Sequence, residues 1–159
     1  MKKDFFVVLK FIHKSLSNKK VKWVVSGSTS LFLQGIKLKP SDIDITTNKE
    51  DAFKICDILK EYEIKHVKFG KTKNISSWWG QLKIKNIKID IMGEFSEKIG
   101  GKWVNVSSQR LKSHDFVKLG NIKIPVSKLE HHLKSYKVMK RKKDIEKIKK
   151  IEEKLKMKK

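Results

Sequence analysis

A single cysteine, Cys56, stands in the 159 residues, so no internal disulfide and no multi-cysteine metal site can form. It shares a helical face with Ala52, Ile55 and Leu59, which predicts a buried structural thiol. Long apolar runs are missing as well. The stretch Phe5 to Leu9 falls far short of a membrane span, and Asp4 and Lys10 bracket it too tightly for a secretory signal. These absences predict a cytoplasmic protein with no membrane partner. Arginine is scarce: all but two of the 39 basic residues are lysine, and only Arg110 and Arg141 offer a planar fork for bidentate contacts. No histidine set suits zinc, because His131 and His132 are neighbours pointing about 100° apart on a predicted helix. With 17 acids against that basic excess, the formal net charge is +22 and the pI near 10.0. Such a charge attracts polyanions, so nucleic acid, nucleotide or an anionic surface is the natural partner. The lysines are nevertheless spread over every segment, as an AT-rich genome or heat adaptation would also produce.

The length suits one domain with a real core and a helical tail. Phe5, Val8, Leu9, Ile12 and Leu16 recur at helical spacing over residues 3–17. A short buried strand over 22–26 is broken by Gly27, and Ser28 is placed to cap a helix from Thr29 to about Gln34. Beyond Pro40, residues 42–47 alternate as a strand, and Asn48 caps a helix reaching to about Tyr62. Strands are predicted over 64–69, 76–84 and 87–92, with a tight turn at Lys85-Asn86. Gly93, Gly100 and Gly101 are read as turns, and a hairpin as folding around Gly120-Asn121. Helices are expected from Ser127 to about Met139 and from Lys142 onward. There are no internal repeats.

Two aspartates interrupt this otherwise apolar pattern. In the strand holding "DIDITT", Asp42 and Asp44 project on one face while Ile43 and Ile45 project on the other. Two carboxylates roughly 7 Å apart on one face repel unless a cation lies between them, and Mg²⁺ takes such oxygen ligands together with substrate phosphates. Asp90 sits in another strand, opposite Ile87, Ile89 and Ile91, and is the expected third ligand. Three carboxylates suffice for two Mg²⁺ ions, with Mn²⁺ as the alternative, in phosphoryl chemistry. Ahead of them, Ser26-Gly27-Ser28 presents a glycine that admits a close phosphate and a helix start with open N–H groups. The turn lacks the G-K-[ST] ending of a P-loop, which disfavours a kinase. Glu94 is a candidate base in a solvated loop, and His66 lies in an alternating strand. Trp78 and Trp79 point to opposite faces, one expected in the core and the other available to stack on a base.

The joint pattern of a glycine-serine turn, D-I-D between apolar residues and a later isolated acid resembles the nucleotidyltransferase superfamily. That superfamily includes polymerase beta, the aminoglycoside and lincosamide enzymes and the small antitoxin-type members. The resemblance extends from about Lys22 to Lys149, and the stretch from Pro125 to Ile148 is similar to the end of the lincosamide-type members. It departs from them at Lys140, where relatives often carry glycine. It implies an α/β (α+β) fold with a mixed sheet of about five strands flanked by helices, a catalytic core over 1–125 and a helical extension over 126–159. It also implies AMP transfer from ATP, or from another NTP, onto a hydroxyl with release of pyrophosphate. On that match Asp42, Asp44 and Asp90 hold the metals, Gly27 and Ser28 bind the triphosphate, and Lys137 and Arg141 lie near nucleotide or acceptor. The acceptor is expected to be a small molecule or protein, with RNA a third option. The contrasting expectation is a non-catalytic basic module that binds nucleic acid or serves as an antitoxin-like partner.

Overall fold

The computed structural model describes residues 2–158. An amphipathic helix α1 (Lys2–Leu16) comes first and is followed by strand β1 (Trp23–Ser26) and the short helix α2 (Gly27–Leu33). Helix α2 starts two residues before the expected Thr29. Its N-cap is Ser26, which makes no side-chain capping bond, so Ser28 lies inside the helix. Strand β2 (Ile43–Thr47) leads to α3 (Lys49–Ile58), capped as expected by Asn48, whose Oδ1 accepts from the Asp51 N–H at 2.8 Å. A 3₁₀ turn at Lys60–Tyr62 replaces the last predicted turn of that helix.

The strands β3 (Glu63–Lys71), β4 (Ile75–Ile84) and β5 (Ile87–Ile99) form a meander, and β6 (Lys102–Asn105) folds back on β5. Lys85 and Asn86 adopt positive φ at the tight hairpin, as the twist of the flanking strands requires. Gly93 is not a turn. It lies inside β5, where a Cβ would come within 2.7 Å of the Ala52 Cβ, so its role is to let α3 pack close on the strand. Helix α4 (Val106–Lys112), capped by Asn105, was not expected from the sequence because its apolar stripe is only two residues long. The hairpin β7 (His114–Leu119) and β8 (Ile122–Ser127) precedes α5 (Leu129–Met139) and α6 (Ile145–Met157).

The eight strands form one mixed sheet in the order β3-β4-β5-β2-β1-β8-β7, with β6 paired to β5. This is three more than expected, since β6 and the β7–β8 pair join the same sheet. The β2–β5 and β1–β8 pairs are parallel and the rest antiparallel. One face carries Val25, Ile43, Ile45, Ile89 and Ile91, all fully buried, and packs on the apolar stripes of α1 and α3. Cys56 belongs to this core, and burial pushes its thiol up to about 12. A second cluster of Leu31, Ile36, Leu129, Tyr136 and Ile151 joins α2 to α5 and α6 on the other side.

Candidate active site

Register across the sheet assembles the site. Ser26 pairs with Asp44 across β1 and β2, Asp44 with Asp90 across β2 and β5, and Asp90 with Gln81 across β5 and β4. Because side chains of directly paired residues share a face, these four form a row across four adjacent strands, opposite the isoleucine face. The row is tied at both ends. The Ser26 hydroxyl lies 2.6 Å from Thr46 Oγ1 and 2.9 Å from Ser127 Oγ. At the other end Trp79 Nε1 and Gln81 Nε2 donate to the same Asp90 oxygen, Oδ1, at 2.9 and 2.7 Å. Asp42, just before β2, is fixed through its carbonyl, which accepts from Thr29 Oγ1 at 2.7 Å.

Asp44 is the electrostatic centre of this row. Burial pushes its carboxyl up to about 7, the charges of Asp90 and Asp42 push the same way, and a side-chain hydrogen bond with Asp90 adds to the effect. The Arg110 guanidinium opposes the shift and loses. Gly27, at φ +65°, sits against this carboxyl, and a Cβ there would collide with Asp44 Oδ2. Its conformational freedom therefore serves the aspartate directly, not only the approach of a ligand.

A cleft of about 380 Å³ opens over these residues. Gly27, Ser28, Asp42 and Asp44 line one wall, and Arg110, His132, Tyr136 and Arg141 line another. Arg110 is 4% exposed; its Nη2 donates to Ser135 Oγ at 3.1 Å, and Ser135 in turn donates to Glu97 Oε1 at 3.0 Å. Its Nε and the Nε2 of His132 are buried with no hydrogen-bond partner among the described residues. Burial holds His132 well below its ordinary pKa, with Arg110 adding to the effect, so the ring is neutral. Asp144, fully buried, accepts from Arg141 Nε at 2.6 Å and lies 3.7 Å from Lys147 Nζ. One buried acid thus aims two cations at the cleft, which Lys143 also lines.

Residues 8–151 match the aminoglycoside-2''-adenylyltransferase family. The chain belongs to that family. A candidate nucleotidyltransferase from Thermotoga maritima is 36% identical, with a TM-score of 0.81 over 94% of this chain and 93% of that one. ANT(2'')-Ia, solved in complex with adenylyl-2''-tobramycin, has the same fold at 11% identity, with a TM-score of 0.60 over 94% and 88% of the two chains. No curated protein matches. The protein is accordingly a nucleotidyltransferase, an enzyme that moves a nucleoside monophosphate, rather than a non-catalytic basic module.

The fold of this nucleotidyltransferase brings Gly27, Ser28, Asp42, Asp44 and Arg141 to one cleft, with Asp90 beside Asp44 as its cross-strand partner. Lys137 is not brought there: its Nζ lies 3.3 Å from Glu152 on an exposed stretch of α5 and α6, and Lys143 and Lys147 line the cleft instead. Glu94 is exposed at φ +52°. His66 is exposed and pairs with Glu63. Neither tryptophan is fully buried; Trp79 holds Asp90, while Trp78 packs between Phe53 and Phe69.

Glu97 was not singled out from the sequence, Arg110 stood out only as one of two arginines, and His132 only as half of a pair unsuited to zinc. The irregularity at Glu94 explains part of this. It interrupts the alternation of β5, so that Phe95 lines the cleft and Glu97 reaches Ser135, on the side of the sheet that carries Asp90. The available signal was the rarity of arginine, with one of only two lying just behind the Asn105 cap.

Among the described residues no three His, Cys, Asp or Glu side chains form a ready-made metal cage. The donor chemistry fits divalent cations all the same: Asp42, Asp44 and Asp90 are oxygen donors, close enough that Asp44 retains a proton up to about neutral pH when no cation offsets its neighbours. No helix among the described residues is long and apolar enough to cross a membrane.

Proposed function

We propose that the enzyme transfers AMP from ATP, or the monophosphate of another NTP, to a hydroxyl of a small molecule and releases pyrophosphate. The observation that carries this reading is the coupled carboxyl group of Asp44, wedged between Asp42 and Asp90 beneath a cleft rimmed by Arg110, Arg141, Lys143 and Lys147. Asp42, Asp44 and Asp90 would hold Mg²⁺, or Mn²⁺ in its place; when bound, the metal supplies charge neutralisation for the triphosphate and for the oxygens of the attacking and leaving groups.

The chain's own residues account for the rest. Gly27 and Ser28 give the triphosphate a close approach to the start of α2, and the cations of Arg141, Lys143 and Lys147 offset its charge. The buried Arg110 keeps an unused donor beside Asp44, suited to negative charge that grows during transfer. Asp90, held in orientation by Trp79 and Gln81, takes the acceptor's proton. The acceptor oxygen bonds to the α-phosphorus, the bond from that phosphorus to the bridging oxygen breaks, and pyrophosphate carries the electron pair away. Residues 126–159 serve as an extension of the 1–125 core, because Tyr136, Met139 and Arg141 close the far wall of the cleft. Label at the α-phosphate of ATP should pass to an acceptor in cell extract, and label at the γ-phosphate should leave as pyrophosphate. Protease and ribonuclease digestion of the labelled product should leave it intact. Transfer of γ label alone would overturn the reading.

A further inference from the structure

Beside the cleft lies a second hollow of about 290 Å³, sharing Ile75, Met92 and Phe95 with it. The rest of its lining is Trp79, Ser76, Ser77, Lys71, Thr72 and the open backbone at Gly70. Trp79 links the two hollows chemically as well, since its ring lines this one while its Nε1 holds the Asp90 carboxylate. No acid lines the annex. Of its polar side chains, Lys71, Thr72, Ser76 and Ser77, the Ser77 hydroxyl is buried and without a partner among the described residues. Lys65 lies over the Trp79 ring at 4.6 Å and Lys71 over Trp103 at 5.0 Å, while Asp90 accepts from Trp79 and Glu97 is paired across the strands with Ile75.

We propose that this annex is the acceptor subsite and that it takes a neutral, apolar or aromatic alcohol, not a polycationic amino sugar. The inference rests on the proposed AMP transfer and names the class of acceptor. A flat apolar molecule gains contact with Trp79, Phe95, Ile75 and Met92, and a hydroxyl at its inner end lies on the Asp90 side, where the proton is to be taken. A second polar group on the same molecule would satisfy Ser77. A polycation, by contrast, would be desolvated against an apolar wall that carries no carboxylate of its own, in the field of a protein of net charge +22. The lining therefore favours the neutral acceptor.

Gly70 supplies the test, because a Cβ added there meets nothing within 4 Å and its φ lies outside the positive region. Gly70→Leu should fold normally and fill the mouth of the annex. Calorimetry of the metal-free, nucleotide-free protein with 2-naphthol should show binding that weakens at least tenfold in Gly70→Leu, while tobramycin shows none. The Trp79 indole N–H resonance, assigned with Trp79→Phe, should shift on adding 2-naphthol to the wild-type chain. Binding of tobramycin in preference to 2-naphthol, or 2-naphthol binding that ignores Gly70→Leu and leaves the Trp79 signal unmoved, would overturn the proposal. These readouts need no catalysis, so failure of pyrophosphate release would count against the reaction and not against the annex.

Discussion

Asp44 concentrates the conflict between folding and chemistry. Its carboxyl rises from 3.8 to about 7 because desolvation and two like-charged neighbours outweigh one arginine. The folded state therefore binds the proton more tightly than the unfolded chain does. The associated stability is full below about pH 4 and is lost as pH rises through 7, by an amount on the order of 4 kcal/mol at most. Asp44→Asn should remove that slope. In chelator, its urea unfolding should show little difference from wild type near pH 4 and a gain of about 1 to 4 kcal/mol at pH 8, while AMP transfer falls by about 10²- to 10³-fold or more. Gly27 belongs to the same contest. A side chain there meets both an unfavourable φ of +65° and the Asp44 carboxylate. Gly27→Ala should cost roughly 1 to 2 kcal/mol from the backbone alone and more from the collision. In an Asp44→Ala background only the backbone part should remain, so a double-mutant cycle by denaturant titration should show clear non-additivity.

Between elements, the decisive features are the ends of helices and the residues that aim them. Helix α5 closes on Lys140 at φ +51°, a left-handed cap. Relief of the Cβ penalty, about 1 to 2 kcal/mol, exceeds the 0.5 to 1 kcal/mol that glycine costs through the unfolded chain. Lys140→Gly should therefore raise stability by roughly 0.5 to 1 kcal/mol, read as a rise in Tm of a few degrees. Just beyond it, Asp144 is the buried anchor for Arg141 and Lys147. Asp144→Asn keeps the shape and removes the charge that orients both cations. The KM for ATP should rise by about tenfold with a smaller change in kcat, because the lost contacts serve a triphosphate that is held in ground and transition state alike. An equal fall in kcat and kcat/KM would instead assign these cations to the transition state.

At the scale of the whole molecule, 39 basic residues against 17 acids, spread over every segment, carry positive charge well beyond the cleft. Binding to a random RNA duplex should therefore be independent of sequence and should weaken at least tenfold between about 50 and 200 mM salt by anisotropy, as counterion release requires. Much of the fold was legible before any coordinates: the periodicity of α1, the Asn48 cap, the Lys85-Asn86 hairpin and the D-I-D strand are local, and local spacing decides which face each side chain takes. The D-I-D stretch and the glycine turn also marked where chemistry belongs, since buried-strand carboxylates call for compensation. Other features were decided by residues far apart in sequence. The parallel register that sets Asp44 against Asp90 joins strands 46 residues apart in the chain, and a slip by one would turn Asp90 into the isoleucine core. The burial of Arg110 depends on Glu97 and Ser135 from two other elements, and the turning of Lys137 toward Glu152 depends on how α6 packs on α5. Spacing along the chain fixes direction within one element. Partners across elements are fixed by register and packing, and those form only when the whole sheet and its helices close together.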